Sequence, residues 1–484
     1  MRKNKFFVLI ILLSLIITFS STIFAAEFSA ELFDELADAV NEKPIIEVPD
    51  YSVLELDNGM IVYLAENHEL PIVEMSAYIR GGFSRELKEE SGISSLMTEL
   101  MNLGSENYSE TEMGKFKEIN GLSFSFSSDF DKYRINASSL ITEKDELISL
   151  AAEILKNPDF KRDYFSRTVS ENIQYYKQQF YEDDSLLDMH FFKNLYGDHP
   201  YGYQYNYNLA VDFLNDVKPE DLHNFYRKNI NPSEMIMALS GDFEIEEMKE
   251  LLKTNFSDWE NNQISAESSY VNVNPKNHGR IILVNKADAT QAKIRMGYNF
   301  YTYNYPKKVP FLMGNMIFGS GGFNSRLMEN LRTEKGYVYG TNSRTEYHKY
   351  GGSYYINLSV EPEKSLKAVQ AVEEEMDVIK NGENPIKKEE LFENVNLYNA
   401  VFPKAYREQI DVLDKLMYEI EFRSNTEEYI NKLIREYNGL TAEEVQNVFS
   451  EELYTDILLT VIVGPKERIL PIFRENNIEL EVVE

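Results

Sequence analysis

The chain contains no cysteine. That absence excludes a disulfide framework, a thiol nucleophile and every zinc site built on thiolates. Histidine is scarce: six in 484 residues, namely His68, His190, His199, His223, His278 and His348. No two of them stand three to five residues apart, so none supplies the imidazole pair with which a helix grips a metal from one face. Basic charge is short as well, with 49 lysines and arginines against 80 aspartates and glutamates, a formal net of −31. A polyanion of this size is repelled by phosphate backbones, which excludes nucleic acid as a partner class. The acidic excess leaves two readings open, a solvating surface suited to salt or a preference for cationic peptides.

What is present is a large apolar complement. Hydrophobic residues make up 43% and aromatics 13% of the 484 residues, enough for a substantial buried core and two to four domains. The longest apolar run lies at the N-terminus. Arg2, Lys3 and Lys5 precede Phe6 to Phe19, and small and polar residues then lead to Ala25-Ala26. Basic, apolar, then small is the layout of a secretory signal, so export is expected, with residues 1–26 as the signal peptide. The alternative is an uncleaved anchor, since Phe6 to Ala26 is long enough to span a bilayer, and only then is a membrane a partner. An acidic helix-like stretch from Phe28 to Asn41 and the prolines Pro44 and Pro49 form a lead-in over residues 27–50.

From Ser52 the chain reads as two passes of one α+β pattern. The first opens on alternating residues around Asp57-Asn58-Gly59, a strong hairpin signal, and continues with a strand over Ile72 to Ile79 that ends at Gly81-Gly82. Apolar residues at 93, 96, 97, 100, 101 and 103 predict a helix from Ile93 to Leu103. Further helices are expected at 143–156, 161–180, 185–196 and 244–254, with a strand at Met235 to Leu239. The polar, turn-rich residues 261–278 read as a linker between a first domain, 51–260, and a second, 279–484. The second domain repeats the order: strands at Arg280 to Val284 and Ala292 to Tyr298, a helix at Val309 to Phe318, a glycine-rich turn, more helices and a late strand at Ile457 to Val463.

Several segments occur in an order that resembles the M16 peptidases, the insulinase, pitrilysin and mitochondrial processing peptidase family. Leu56-Asp57-Asn58-Gly59-Met60 is similar to the family's opening hairpin, and His199-Pro200-Tyr201-Gly202 to its H-P-Y-G segment. Asn231-Pro232 followed by Gly241-Asp242 is similar to its N-P…G-D strand, and Gln291 to Gly297 to a strand of the second half. Gly319-Ser320-Gly321-Gly322-Phe323-Asn324-Ser325-Arg326-Leu327 resembles its glycine loop and the S-R-L helix start. The resemblance implies two homologous α+β domains with antiparallel-dominated sheets, forming half of a clam-shaped, four-domain chamber. It also implies substrate contacts at Gly319, Gly321, Gly322 and Ser325.

Active members of that family carry H-x-x-E-H on the helix matching Ile93 to Leu103. Two imidazoles one turn apart hold Zn²⁺, the intervening glutamate activates water and a distant glutamate completes the site. Here Ser95 and Glu99 stand at the two histidine positions and Thr98 at the base. Shifting the register so that Glu99 becomes the base places Leu96 and Leu100 at the ligands. Glu171 lies near the third-ligand position, although Tyr175 or Lys177 fits that position too. No metal site is therefore expected in this chain, and zinc is expected in a partner.

The second half keeps the opposite wall of such a site. Arg332 and Tyr339 match the family's R-x(6)-Y pair, with Arg332 expected at the end of a helix from Ser325, Gly336 at a turn and Tyr339 on the next strand. A guanidinium and a phenol donate hydrogen bonds to a peptide carbonyl and to the oxyanion that develops during attack. In two-chain members of the family, one subunit carries the zinc motif and the other supplies this pair. The resemblance thus implies a non-catalytic subunit that binds peptide substrates beside a partner bearing H-x-x-E-H. A peptide-binding or scaffold protein without such a partner, and a stand-alone peptidase with an unrecognised metal site, remain as alternatives.

Overall fold

Asn58-Gly59 heads the first strand pair, and the backbone shows why glycine stands there: φ at Gly59 is +88°, a conformation that strains a residue with a Cβ. The Gly59 N–H donates to the Leu56 carbonyl at 2.8 Å, closing the turn between β1 (Ser52–Glu55) and β2 (Ile61–Glu66). The computed structural model describes residues 43–160, 163–262 and 279–484. The expected signal, the Phe28 to Asn41 stretch and linker residues 263–278 lie outside the described residues. Among the described residues no helix is long and apolar enough to cross a membrane.

Four more strands complete the first sheet: β3 (Ile72–Arg80), β4 (Ser123–Ser128), β5 (Lys132–Leu140) and β6 (Met235–Gly241). Their order is β1-β2-β6-β3-β5-β4, with β2 and β6 parallel and the other pairs antiparallel. The second sheet holds β7 (Ile281–Asn285), β8 (Ala292–Phe300), β9 (Val338–Tyr347), β10 (Gly352–Val360), β11 (Leu459–Gly464) and β12 (Glu481–Val483). Its order, β12-β7-β11-β8-β10-β9, repeats the first from the second strand inward, down to the parallel pair β7 and β11. The two α+β units expected from the sequence are therefore present. They differ at one flank, where β1 is antiparallel to its neighbour and β12 parallel.

Helices cover the sheets in a way the sequence did not disclose. We refer to α1 (Ile93–Leu103), α2 (Tyr164–Gln179), α3 (Asp183–Tyr196) and α4 (Gln409–Arg423). The first packs Ile93, Leu96, Met97, Leu100 and Met101 into the core beneath the first sheet. The other face of that sheet is covered from the second half: Leu413 and Met417 of α4 sit against Tyr63, Tyr78, Ile236 and Ala238. Reciprocally, Leu186, Leu187 and Phe191 of α3 cover Ile282, Val284, Leu459, Val461 and Val463 of the second sheet. Each Leu, Ile, Val, Met or Phe among these contributes roughly 1.5–3 kcal/mol by its burial. Asp414 fastens the α4 contact by accepting hydrogen bonds from the Ser76 and Tyr78 hydroxyls.

This exchange explains why β6 reads as an unbroken apolar run. Met235, Met237 and Leu239 face the first core while Ile236 and Ala238 face α4, so both sides are buried and no alternation survives. Pro44 to Glu484 accordingly form one unit. The helix expected over Val309 to Phe318 is instead Lys308–Asn315, followed by a widened π-turn at Met316–Ser320 in which Gly321 N–H reaches the Met316 carbonyl.

Candidate functional site

The start of α1 is set by a buried carboxylate. Glu86 is fully buried, and its two oxygens accept from the Ser94 and Gly92 backbone N–H groups at 3.0 Å each. The Gln204 amide adds a third bond at 2.7 Å. Burial pushes the Glu86 carboxyl up to about 7, while those donors pull it back toward the ionised form. The clamp ties α1 to the segment after His199-Pro200-Tyr201-Gly202, since the Ser91 hydroxyl also donates to the Tyr203 carbonyl at 3.2 Å. His199 acts structurally, its Nδ1 accepting the Tyr201 N–H at 3.2 Å and so capping the short helix Pro200–Tyr203. Burial, helped by His348, lowers its pKa to about 4, so the ring is neutral at pH 7.

Along α1, the residues at the metal positions are engaged with protein. Ser95 Oγ is 3.4 Å from Ser128 Oγ on β4. Thr98 is buried, and its hydroxyl donates to the Ser94 and Ser95 carbonyls at 3.1 Å each, which leaves no basic group where water would be activated. Glu99 accepts a hydrogen bond from the Asn172 side chain of α2 at 2.7 Å, so an amide–carboxylate bond links the two helices here. Next to it Glu171 is exposed, 3.7 Å from Arg167. Tyr175 is exposed and packs on Tyr176. These donors do not fit zinc, which needs imidazole, thiolate or several converging carboxylates. Among the described residues no three histidines, aspartates or glutamates approach one another closely enough to hold a metal ion.

One neighbour of these positions was not singled out from the sequence. Asn102, one turn beyond Thr98, turns its amide onto the edge strand β4, accepting the Phe126 N–H at 2.8 Å and donating to the Phe126 carbonyl at 2.7 Å. It thereby makes both bonds that an added strand would make to that residue. The surrounding residues of β4 alternate, with Ser123, Ser125 and Ser127 exposed and Phe124 and Phe126 buried. The only sequence signal was an amide near the end of an amphipathic helix. Replacing Asn102 by alanine should free the Phe126 peptide, destabilising the fold by about 1–3 kcal/mol. It should also speed amide exchange at Phe126, measurable by hydrogen–deuterium exchange.

The second-half residues separate into buried supports and exposed groups. Gly319 is buried against Ser343 and Leu327, and a Cβ there would come within 2.5 Å of Ser343 Oγ. A Cβ on Gly321 would meet the Met316 carbonyl at 2.5 Å. Ser325 is buried and donates to the Gly322 carbonyl at 2.8 Å. Arg326 grips Glu390 with two bonds of 2.7 Å each. The expected helix from Ser325 to Arg332 is corrected: regular helix covers only Arg326–Met328, and Glu329–Glu334 form a second π-turn. Arg332 lies within that turn, exposed, its guanidinium 5.3 Å from the exposed Phe323 ring on the glycine loop. Tyr339 is 52% exposed near the start of the edge strand β9. Among the described residues neither Arg332 nor Tyr339 has an ion-pair or hydrogen-bond partner, which is unexpected for an arginine in so acidic a chain.

Comparison with known proteins gives the chain's relatives. The family description "Insulinase (Peptidase family M16)" matches residues 61–209, and "Peptidase M16 inactive domain" matches residues 216–397. The chain is 22% identical over 361 residues to a Helicobacter pylori protein named non-peptidase homolog YmxG, covering 70% of this chain and 82% of that one. It is 23% identical over 287 residues to zinc protease PqqE of the same bacterium, covering 57% of this chain and 62% of that one. Among solved structures, a peptidase M16 inactive domain from Pseudomonas fluorescens superposes with a TM-score of 0.75 at 21% identity, covering 86% of this chain and 98% of that one. A protease from Helicobacter pylori gives 0.77 at 19% identity, covering 87% and 100%.

Proposed function

This chain belongs to the M16 peptidase family, and we propose that it is the metal-free subunit of an exported, two-chain zinc peptidase. The observation that carries the reading is the contrast between its halves: α1 lacks the metal donors, while Arg332 and Tyr339 stand exposed without a hydrogen-bond or ion-pair partner among the described residues. In the proposed complex the other chain carries H-x-x-E-H and the zinc, whose chemistry is the activation of water. This chain contributes peptide contacts on a sheet edge and, from Arg332 and Tyr339, hydrogen bonds to the carbonyl under attack. The similarity of the chain to both a non-peptidase homologue and a zinc protease of one bacterium supports such a pairing.

Co-purification from the native source tests the reading directly, and an M16 chain bearing H-x-x-E-H should accompany this one. Isolated alone, the protein should hold far less than one zinc per chain by elemental analysis and should cleave no peptide. Stoichiometric zinc with cleavage would instead establish a stand-alone peptidase. Recovery without any peptidase partner would favour the scaffold reading, for which the name of the non-peptidase relative speaks.

A further inference from the structure

A cavity of about 250 Å³ lies where the two halves meet. Five cationic side chains line it: Arg80 at the end of β3, Arg85 just after it, Lys132 at the start of β5, Lys349 in the turn between β9 and β10, and Arg423 at the end of α4. Among the described residues, only two carboxylates, Asp129 and Asp131, share the lining. Asp131 is already occupied by two neutral donors, the Tyr201 hydroxyl at 2.7 Å and the Lys349 backbone N–H at 2.9 Å. Asp129 accepts the Phe130 N–H and stands 3.9 Å from the Lys132 amine, beyond a hydrogen bond. In a chain of net charge −31, a cationic excess at one enclosed place is the reverse of the average surface.

The arginines are also incompletely bonded. Arg85 has only 10% of its side chain exposed, its Nη1 has no hydrogen-bond partner among the described residues, and Glu234 lies no closer than 3.9 Å. Arg80 stands at the same 3.9 Å from Glu234 and spends one nitrogen on the Glu421 carbonyl at 2.6 Å. Arg423 is paired with Glu419 at 3.0 Å but leaves its buried Nε without an acceptor. Its guanidinium lies 5.0 Å from the Tyr303 and Tyr418 rings, so the aromatic walls hold it in place. Burial holds the Lys132 amine below the usual lysine range, and Arg423 and Arg134 add to that effect against the pull of Asp129. Guanidinium donors without acceptors at low dielectric are costly, and an oxyanion offers several acceptors with the matching charge.

We propose that this junction binds a small oxyanion, inorganic phosphate or the terminal carboxylate of a peptide, between Arg85, Arg423 and Lys349. Both have the acceptor geometry that a guanidinium fork recognises. Phosphate with several waters fits the volume. The site draws on both halves, through Arg85 from the first and Lys349 and Arg423 from the second, so occupancy would tighten their junction. The inference is independent of the partner-subunit reading, because the ligand meets only this chain.

The test uses the full chain, titrated calorimetrically with sodium phosphate at constant ionic strength. A saturable one-to-one isotherm and a rise in melting temperature are expected. Arg85→Gln should weaken binding at least about tenfold, the loss of one charge-assisted hydrogen bond. Lys349→Gln, in a hairpin turn where folding is not at risk, should weaken it in the same direction. Arg167→Gln, outside the cavity, should change nothing. A parallel arm compares one peptide with a free and an amidated C-terminus; binding of the free form alone assigns the site to a carboxylate. Absence of a saturable response in both arms overturns the proposal, as does binding that both cavity variants leave unchanged.

Discussion

Arg332→Ala is expected to lower peptide cleavage by the assembled pair about 10²–10³-fold while leaving the two chains bound to each other. The fold should not notice the change. Arg332 is exposed, has no hydrogen-bond or ion-pair partner among the described residues, and touches only the Phe323 ring. Its loss should therefore move the stability of this chain by less than about 0.5 kcal/mol. The deficit belongs in kcat more than in KM, because a donor aimed at a developing oxyanion acts mainly in the transition state. Tyr339→Phe should show the same pattern, since it removes the phenol donor while keeping the ring and its position on β9. Steady-state kinetics on the reconstituted complex, with a sizing column to confirm assembly, decide the matter. Unchanged kcat in the alanine variant would remove Arg332 from the reaction.

The second large effect concerns Glu86. Glu86→Ala strips the acceptor from two backbone N–H groups at the head of α1 and should cost about 2–5 kcal/mol, combining two orphaned buried donors. Glu86→Gln is gentler, because one oxygen remains, and it isolates the titration. Burial raises the Glu86 carboxyl from its ordinary 4.5 to about 7, so the folded protein binds a proton that the unfolded chain has already released. Stability from this group is therefore fully present below about 4.5 and is lost as pH rises through about 7, a loss of roughly 3 kcal/mol. Urea unfolding of both proteins at pH 5 and pH 8 checks it. The advantage of the wild type over Glu86→Gln should shrink toward pH 8, and a constant difference would show that the carboxyl does not titrate there.

How much of this was legible in the sequence depended on whether a signal was local. Helix α1 was read at its true bounds because its apolar stripe contacts a single core. Strand β4, SFSFSS, was passed over: half of it is serine, and its two phenylalanines do not amount to a run. Strand β6 was found, but the reason for its unbroken apolar character lies in α4, far along the chain. The positions at Ser95, Thr98 and Glu99 could be recognised as lacking metal donors, yet the hydrogen bonds of Ser95 to Ser128 and of Glu99 to Asn172 are tertiary facts. Glu86 and Asn102 were missed for a related reason. A carboxylate ahead of a helix and an amide within one are common, and only burial and aim distinguish these two. At Arg332 the expected helix end gave way to a π-turn, because such a turn follows from packing rather than from composition.

The exchange of helices between the two halves carries a consequence for biosynthesis. A chain emerging from its N-terminus completes the strands of the first sheet at Gly241, but the helix that covers its outer face ends only at Arg423. Tyr63, Tyr78, Ile236 and Ala238 therefore wait, wet and adhesive, through the synthesis of most of the second half. Expressed alone, the first half should aggregate through that bare face. Its solubility should return when a chain containing Gln409 to Arg423 is supplied in trans.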